Sequence, residues 1–152
     1  MRSHIGVESQ PVAYDIEKGA VAKFARAIGD PNPLYTDEIA ARNSRFGGLI
    51  APPTFLRSLL PGRYTTAFPD PYSFVLDAGS DYRFLAAVRV GERVAVTRRI
   101  VDMFEKQGKL GPMLFLVQEV RYENQLGELV ATQKTTTISY GTGPRDPAID
   151  DI

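Results

Sequence analysis

The chain has 152 residues, of which 43% are hydrophobic, and its 18 basic residues balance 18 acidic ones. This length and composition predict one soluble globular domain with enough apolar residues for a core, and the balanced, dispersed charge argues against nucleic-acid binding. No apolar run reaches the roughly 18 residues of a membrane span, and the N-terminus lacks the apolar core of a signal peptide, so we expect a cytoplasmic protein that does not enter a membrane.

The first half of the chain has helical periodicity. Asp15 is a candidate N-cap and Gly29 a candidate stop, which predicts a helix over about Ile16–Ile28. A short helix is predicted over Asp37–Asn43, and a third helical segment over residues 54–60, whose apolar side chains form one broad stripe. These helices are expected to pack on a sheet.

The second half is rich in β-branched and aromatic residues, separated by turn signals. Strands are predicted over residues 73–79, 81–88, 92–106, 112–124 and 128–140. Long consecutive strands with tight connections predict an antiparallel meander covered by helices on one face, which is an α+β domain. We expect this domain to span residues 1–140, followed by a flexible tail over 141–152.

A sheet covered on one face leaves the other face or an edge without a neighbour. Dimerisation through an edge or a face is therefore expected. The alternative is a monomer with a polar outer face.

A tight corner follows the first predicted helix, in the stretch "FARAIGDPNPLYTDEIAAR" at residues 24–42. The two prolines of D-P-N-P restrict the backbone at Asp30 and Asn32. Both residues are common turn makers at the end of a helix. From the residues alone, a structural role in the turn and a functional role both remain open.

The chain has no cysteine, and His4 is its one histidine. A thiol nucleophile, a Cys/His zinc site and a Ser-His-Asp triad are therefore excluded within this chain. Acid–base chemistry must depend on carboxylates, tyrosines, lysines or a partner chain, and we expect neither a metal nor a cofactor.

The string F-A-x-A-x-G-D-x-N-P-L-Y-x-D-x-x-x-A, from Phe24 to Ala41, resembles the hydratase motif of the MaoC-like dehydratases, in particular the fatty-acid-synthase-like branch known as the MaoC dehydratase N-terminal domain. Four further segments agree with the same family in order: residues 48–55, 77–84, 88–94 and 105–133. The resemblance implies a hot-dog fold, in which an antiparallel sheet wraps around a helix, usually paired into a double hot dog.

The family's chemistry is the reversible addition of water to the double bond of a 2-enoyl thioester. It needs a base that activates water and a donor that polarises the thioester carbonyl. The resemblance places the base at Asp30, with Tyr35 and Asn32 as catalytic partners that contact the water or the carbonyl. Tyr35 stands where active members carry histidine, and a tyrosine, with a pKa of about 10, is a poor base near neutrality.

A second departure occurs in "APPTF". Relatives with hydratase activity carry His-Gly there, and the glycine N–H helps to bind the thioester oxygen. Pro53 has no N–H to donate. The N–H of Thr54, at a helix start, could replace it as the oxyanion donor.

Three functions follow from the resemblance. The chain could be a hydratase with Asp30 as base, or a catalytically silent subunit that binds substrate for a partner with an intact Asp/His pair. An acyl thioesterase would instead use Asp37 or Glu38, although both look like ordinary acids of a helix N-terminus.

The substrate implied is an acyl-CoA or an acyl-carrier thioester, and the partner is a second copy of the chain or another hot-dog subunit. Among seven arginines considered for the phosphates, Arg83 and Arg89 are the first candidates. The residues expected to contact the acyl group are Pro53, Phe55, Phe68, Tyr72 and Phe74, with Phe55 also fitting a place in the core.

Overall fold

The main element of the fold is a five-stranded antiparallel sheet. The structure is a computed structural model and describes residues 4–64, 70–109 and 111–141. In chain order the elements are β1 (Val12–Asp15), α1 (Lys18–Ala27), a 3₁₀ helix (Pro33–Tyr35), α2 (Glu38–Arg42), a second 3₁₀ helix (Pro53–Ser58), β2 (Phe74–Phe84), β3 (Arg93–Gly108), β4 (Gly111–Asn124) and β5 (Leu129–Tyr140). The strand order in the sheet is β1-β3-β4-β5-β2. The predicted α+β class and the antiparallel meander of the last three strands are confirmed.

The long strands bury apolar side chains on one face by alternation. In β3, Val94, Val96 and Ile100 are fully buried, and their even spacing of two and then four positions places them on the same face. A bulge between Ile100 and Asp102 then shifts the register against β4. Met103 is consequently buried although it lies an odd number of positions away.

The main core lies between this sheet and the helices. Val21 and Ala25 of α1 are buried in it, together with Phe55 and Leu56 of the second 3₁₀ helix. Full burial of a side chain such as Val21 stabilises the fold by about 1.5–3 kcal/mol. This packing fixes the end of α1, and therefore the corner that follows it, against the sheet.

The start of the first helix differs from the prediction. Asp15 is the last residue of β1, a strand that was not predicted, and Glu17 is the N-cap. The N–H of Ile16 donates to the carbonyl of Glu92 at 2.9 Å, so pairing with the sheet continues to Ile16 and delays the helix to Lys18. Ile28, the last residue of the predicted helix, is the C-cap of α1 and is 48% exposed.

Separate strands were predicted over residues 73–79 and 81–88, but β2 is continuous through Gly79. Its φ of 122° lies in the region that favours glycine. The N–H of Gly79 donates to Oδ1 of Asp77 at 2.8 Å, and the register with β5 shifts between Asp77 and Ser80. Gly79 therefore forms a bulge within one edge strand.

The helix predicted over residues 54–60 is a 3₁₀ helix over Pro53–Ser58. Three residues per turn do not support the broad stripe of an α-helix. Phe55 and Leu56 are buried, whereas Leu60 is 49% exposed. Of the predicted C-terminal tail, residues 142–152 lie outside the described residues.

Candidate active site

The corner after α1 is held by side-chain hydrogen bonds to the backbone. Gly29, with φ at 69°, ends the helix as predicted. Oδ1 of Asp30 accepts the N–H of Asn32 at 3.0 Å, and Oδ1 of Asn32 accepts the N–H of Leu34 at 3.0 Å. Both residues therefore make the turn through one oxygen of each side chain.

Tyr35 lies at the end of this corner and is buried, with 6% of its surface exposed. Burial raises the pKa of the Tyr35 hydroxyl above its ordinary value, and the nearby Asp30 carboxylate raises it further, while a hydrogen bond with the Asn32 side chain opposes the shift. The structure thus brings Asp30, Asn32 and Tyr35 together. Near neutral pH, Tyr35 is protonated and can donate a hydrogen bond.

Tyr35 lines a cavity of about 310 Å³ whose wall is mostly apolar. Two backbone hydrogen bonds position that wall beside the corner: Ile50 donates to Leu34 at 3.1 Å, and Ala51 donates to Val88 at 2.8 Å. The other lining residues come from the loop before the second 3₁₀ helix, from that helix, from the end of β2 and from the segment after it: Arg45, Phe46, Pro52, Pro53, Leu56, Phe84, Leu85, Ala86 and Ala87.

The predicted site residues near this cavity have different positions. Pro53 lines it, whereas Asp30, Asn32 and Thr54 are absent from its described lining. Thr54 is exposed at the first turn of the 3₁₀ helix. Phe55 packs edge to face on Phe24, with ring centroids 5.5 Å apart, and belongs to the core.

The predicted aromatic pocket lies elsewhere. Tyr72 is buried in a second cluster with Ile100 and Met103 and donates to Oε1 of Glu105 at 3.2 Å. Phe74 is 55% exposed and packs on Tyr140. Phe68 lies outside the described residues. Phe74 and Phe84 are the two ends of β2, about 30 Å apart for an extended strand of this length, so Tyr72 and Phe74 do not line the cavity that Phe84 lines.

The two arginines predicted to bind phosphate have different surroundings. Arg83 is exposed on β2 and is absent from the described lining of the cavity. Nε of Arg89 donates to the carbonyl of Phe46 at 3.1 Å, and its guanidinium lies 3.8 Å from Glu92. Arg89 therefore holds the loop that carries Phe46.

Sequence reasoning missed Arg45, which lines the cavity with its guanidinium 4.7 Å from the centroid of the Phe46 ring. The available signal was a cation and an aromatic residue in sequence, directly before the glycines that lead into the segment 48–55. Residues 44–47 fall between the predicted elements, and no role was predicted for them.

A larger groove, of about 760 Å³, lies between the second 3₁₀ helix and the sheet. Part of its floor is polar: Tyr122 donates to Oε1 of Gln133 at 3.0 Å, and Nε2 of Gln133 donates to Ser80 at 2.9 Å. Charged side chains of Arg57, Asp77 and Arg98 also line this groove. The smaller cavity, which has the apolar wall and the Tyr35 hydroxyl, is the better candidate for a thioester.

The acids considered for thioester hydrolysis have structural partners. Oδ1 of Asp37 accepts the N–H groups of Ile39 and Ala40 at 2.9 and 3.1 Å, which caps α2. Glu38 pairs with Lys18, whose hydrogen bond and charge lower the pKa of that carboxyl. Neither acid belongs to the described lining of the cavity.

Residues 4–64, 70–109 and 111–141 contain neither a candidate metal site nor a helix that could span a membrane. No cluster of three or more acidic or histidine side chains there could hold a metal ion. In the same ranges, no helix is both long and apolar enough to cross a membrane.

Comparisons with known proteins agree on one family. A model described as the FAS1-like dehydratase domain region matches residues 3–133. A UPF0336 protein of Parafrankia sp. is 31% identical over 138 residues, covering 88% of this chain and 89% of that protein. A probable enoyl-CoA hydratase alpha subunit of Thermomonospora curvata is 27% identical, covering 79% of this chain and 43% of that subunit.

Solved structures show the same fold at lower identity. The truncated HadBC (3R-hydroxyacyl-ACP dehydratase) complex of Mycobacterium tuberculosis superimposes with a TM-score of 0.73 at 20% identity, covering 90% of this chain and 97% of that one. A MaoC-like dehydratase from Rhodospirillum rubrum gives 0.71 at 23% identity, with 92% and 94% covered. The hot-dog architecture, the corner at residues 24–42 and the family match over residues 3–133 together show that this chain belongs to the MaoC-like dehydratase family.

Proposed function

We propose that this chain is a subunit of a hydratase or dehydratase for 2-enoyl and 3-hydroxyacyl thioesters, and that it binds the thioester while a second hot-dog subunit supplies the base. The observation that carries the proposal is Tyr35. It occupies the position at which active members of the family have histidine, it is buried, and its raised pKa keeps it protonated. A protonated tyrosine donates a hydrogen bond but does not take a proton from water.

The position of Asp30 supports the same division of work. One of its carboxylate oxygens accepts the N–H of Asn32, and the residue is absent from the described lining of the cavity. A general base must reach the water that it activates. In this subunit, the role of Asp30 is to shape the corner that presents Tyr35.

A second candidate keeps Asp30 as the base of this chain. It is favoured by one observation: the Asp30 carboxylate is close enough to raise the pKa of Tyr35. A water held between the two side chains would then react with a thioester in the cavity.

The free edge of the sheet supports a hot-dog partner. Among the described residues, β2 has a neighbouring strand on one side only. Phe74, Leu76 and Phe84 of this edge strand are 55%, 51% and 44% exposed. An unpaired apolar edge favours association with another strand. Because Phe84 and Leu85 also line the cavity, a partner on this edge would lie beside the thioester.

The test compares the chain alone with the chain mixed with a candidate hot-dog subunit that carries the Asp/His pair. Crotonyl-CoA hydration is followed by the loss of enoyl absorbance, and binding of the saturated analogue butyryl-CoA by calorimetry. We expect binding without turnover for the chain alone, turnover for the mixture, and retained turnover when the mixture contains Asp30→Asn.

Two results would reject this division of work. If the chain alone hydrates crotonyl-CoA and Asp30→Asn abolishes that activity, Asp30 is the base. If the chain binds no butyryl-CoA, its cavity is not a thioester site. Tyr35→Phe removes the hydroxyl and nearly preserves the shape, and we expect it to weaken butyryl-CoA binding by about 3- to 10-fold, the effect of one hydrogen bond.

A further inference from the structure

Arg45 differs from every other residue of the cavity wall. It is the one charged side chain in the described lining, where the remaining residues are apolar apart from the Tyr35 hydroxyl. Arg45 is exposed, so its guanidinium lies at the open side of the cavity. A ligand that enters an apolar cavity past a cation would have an apolar end and an anionic arm.

Arg45 also has no ion-pair partner among the described residues. None of the ion pairs between described residues involves it, whereas Arg89, which supports the same loop, is paired with Glu92, and Lys18 is paired with Glu38. Its recorded contact is the ring of Phe46, at 4.7 Å from the centroid. A guanidinium held over an aromatic face keeps its N–H donors available and loses less freedom when it binds an anion.

The loop that carries Arg45 and Phe46 is held by hydrogen bonds and by packing against the core. Nε of Arg89 donates to the Phe46 carbonyl at 3.1 Å, and Phe46 packs against the main core. Oγ of Ser44 accepts the N–H of Phe46 at 3.2 Å and donates to the Ala41 carbonyl at 2.6 Å. The guanidinium is thus presented by an anchored loop, as a binding residue requires.

We propose that Arg45 binds the phosphate of the phosphopantetheine arm of the thioester and so selects substrates attached to that arm. This inference rests on the proposed function. Guanidinium groups bind phosphate through paired N–H donors, and the apolar wall beyond suits the acyl end. Coenzyme A and acyl-carrier proteins share this phosphate, so either could deliver the acyl group.

The experiment measures binding by the full chain of three saturated ligands: butyryl-CoA, S-butyryl-phosphopantetheine and S-butyryl-pantetheine, which has no phosphate. The variants are Arg45→Ala, Arg45→Lys and the control Arg26→Ala, which removes an exposed charge from the last turn of α1. Arg45→Ala should weaken the binding of both phosphorylated ligands about 5-fold and leave the binding of butyryl-pantetheine unchanged, as expected for one exposed charge-assisted contact. Arg45→Lys should recover part of the loss, and Arg26→Ala should match the wild type.

Salt provides a second readout that a structural role would not change. Raising ionic strength should weaken binding of the phosphorylated ligands by the wild type more than by Arg45→Ala. Butyryl-CoA then reports the coenzyme, and S-butyryl-phosphopantetheine reports the arm that a carrier protein would present.

The outcomes separate this assignment from the proposed function. If the wild type binds all three ligands and Arg45→Ala binds them equally well, the assignment of Arg45 fails alone. If Arg45→Ala affects only butyryl-CoA, the contact is to the nucleotide and the phosphopantetheine assignment is wrong. If the wild type binds none of the ligands, the proposed function fails and the role of Arg45 fails with it.

Discussion

Replacing Asp30 by asparagine and by alanine separates its charge from its role in the turn. Asparagine keeps an Oδ1 that can accept the Asn32 N–H, now 3.0 Å from the carboxylate, whereas alanine leaves that N–H without its acceptor. One such hydrogen bond contributes about 1 kcal/mol net. We expect Asp30→Ala to lower the free energy of unfolding by about 1 kcal/mol, and Asp30→Asn by less than about 0.5 kcal/mol.

The assay is thermal unfolding of the wild type and both variants at one protein concentration, because association would shift the midpoint. A loss of about 1 kcal/mol corresponds to a decrease in Tm of about 2–4 °C for a chain of this size. Both variants should also lower the pKa of Tyr35, since each removes the Asp30 charge that raises it. Equal Tm values for the two variants, or unfolding of Asp30→Asn, would refute the turn as described.

Substitutions at three further positions test the fold. Burial raises the pKa of Tyr64 to about 12 and also raises that of Tyr122. As pH rises, both tyrosines therefore lose their protons at a lower pH in the unfolded chain than in the folded one. The free energy of unfolding should consequently fall as pH rises above about 10. In urea titrations from about pH 9 to 11, Tyr122→Phe should show a shallower decline, and an unchanged slope would contradict its contribution. Asp37→Ala removes both capping hydrogen bonds of α2 and should cost about 1 kcal/mol, with Asp37→Ser recovering most of the loss in chemical denaturation. Gly62→Ala would place a Cβ against the Gln10 carbonyl and should cost about 1–3 kcal/mol; a variant as stable as the wild type would show that this approach is not tight.

Local sequence signals were sufficient where a neighbouring residue decides the structure. Gly29 ends α1, and the two Asx residues of D-P-N-P form the corner, because these conformations depend on the backbone freedom of glycine, on the backbone restriction by proline and on hydrogen bonds two residues apart. The three long strands follow from alternation and from turn residues in the same way. The predicted start of α1 was wrong because the pairing of Ile16 with Glu92 is a long-range contact, which local sequence signals do not report.

The candidate site depended on the tertiary structure. Family resemblance selected Tyr35, but only the fold shows that it lines a cavity with Arg45, and that Tyr72 and Phe74 lie at the other end of β2. Periodicity states which face of an element is apolar, and it carries no information on which segments meet across the chain. Those tertiary contacts are determined by strand register and by packing between residues that are distant in sequence, so the cavity could be assigned only once both were known.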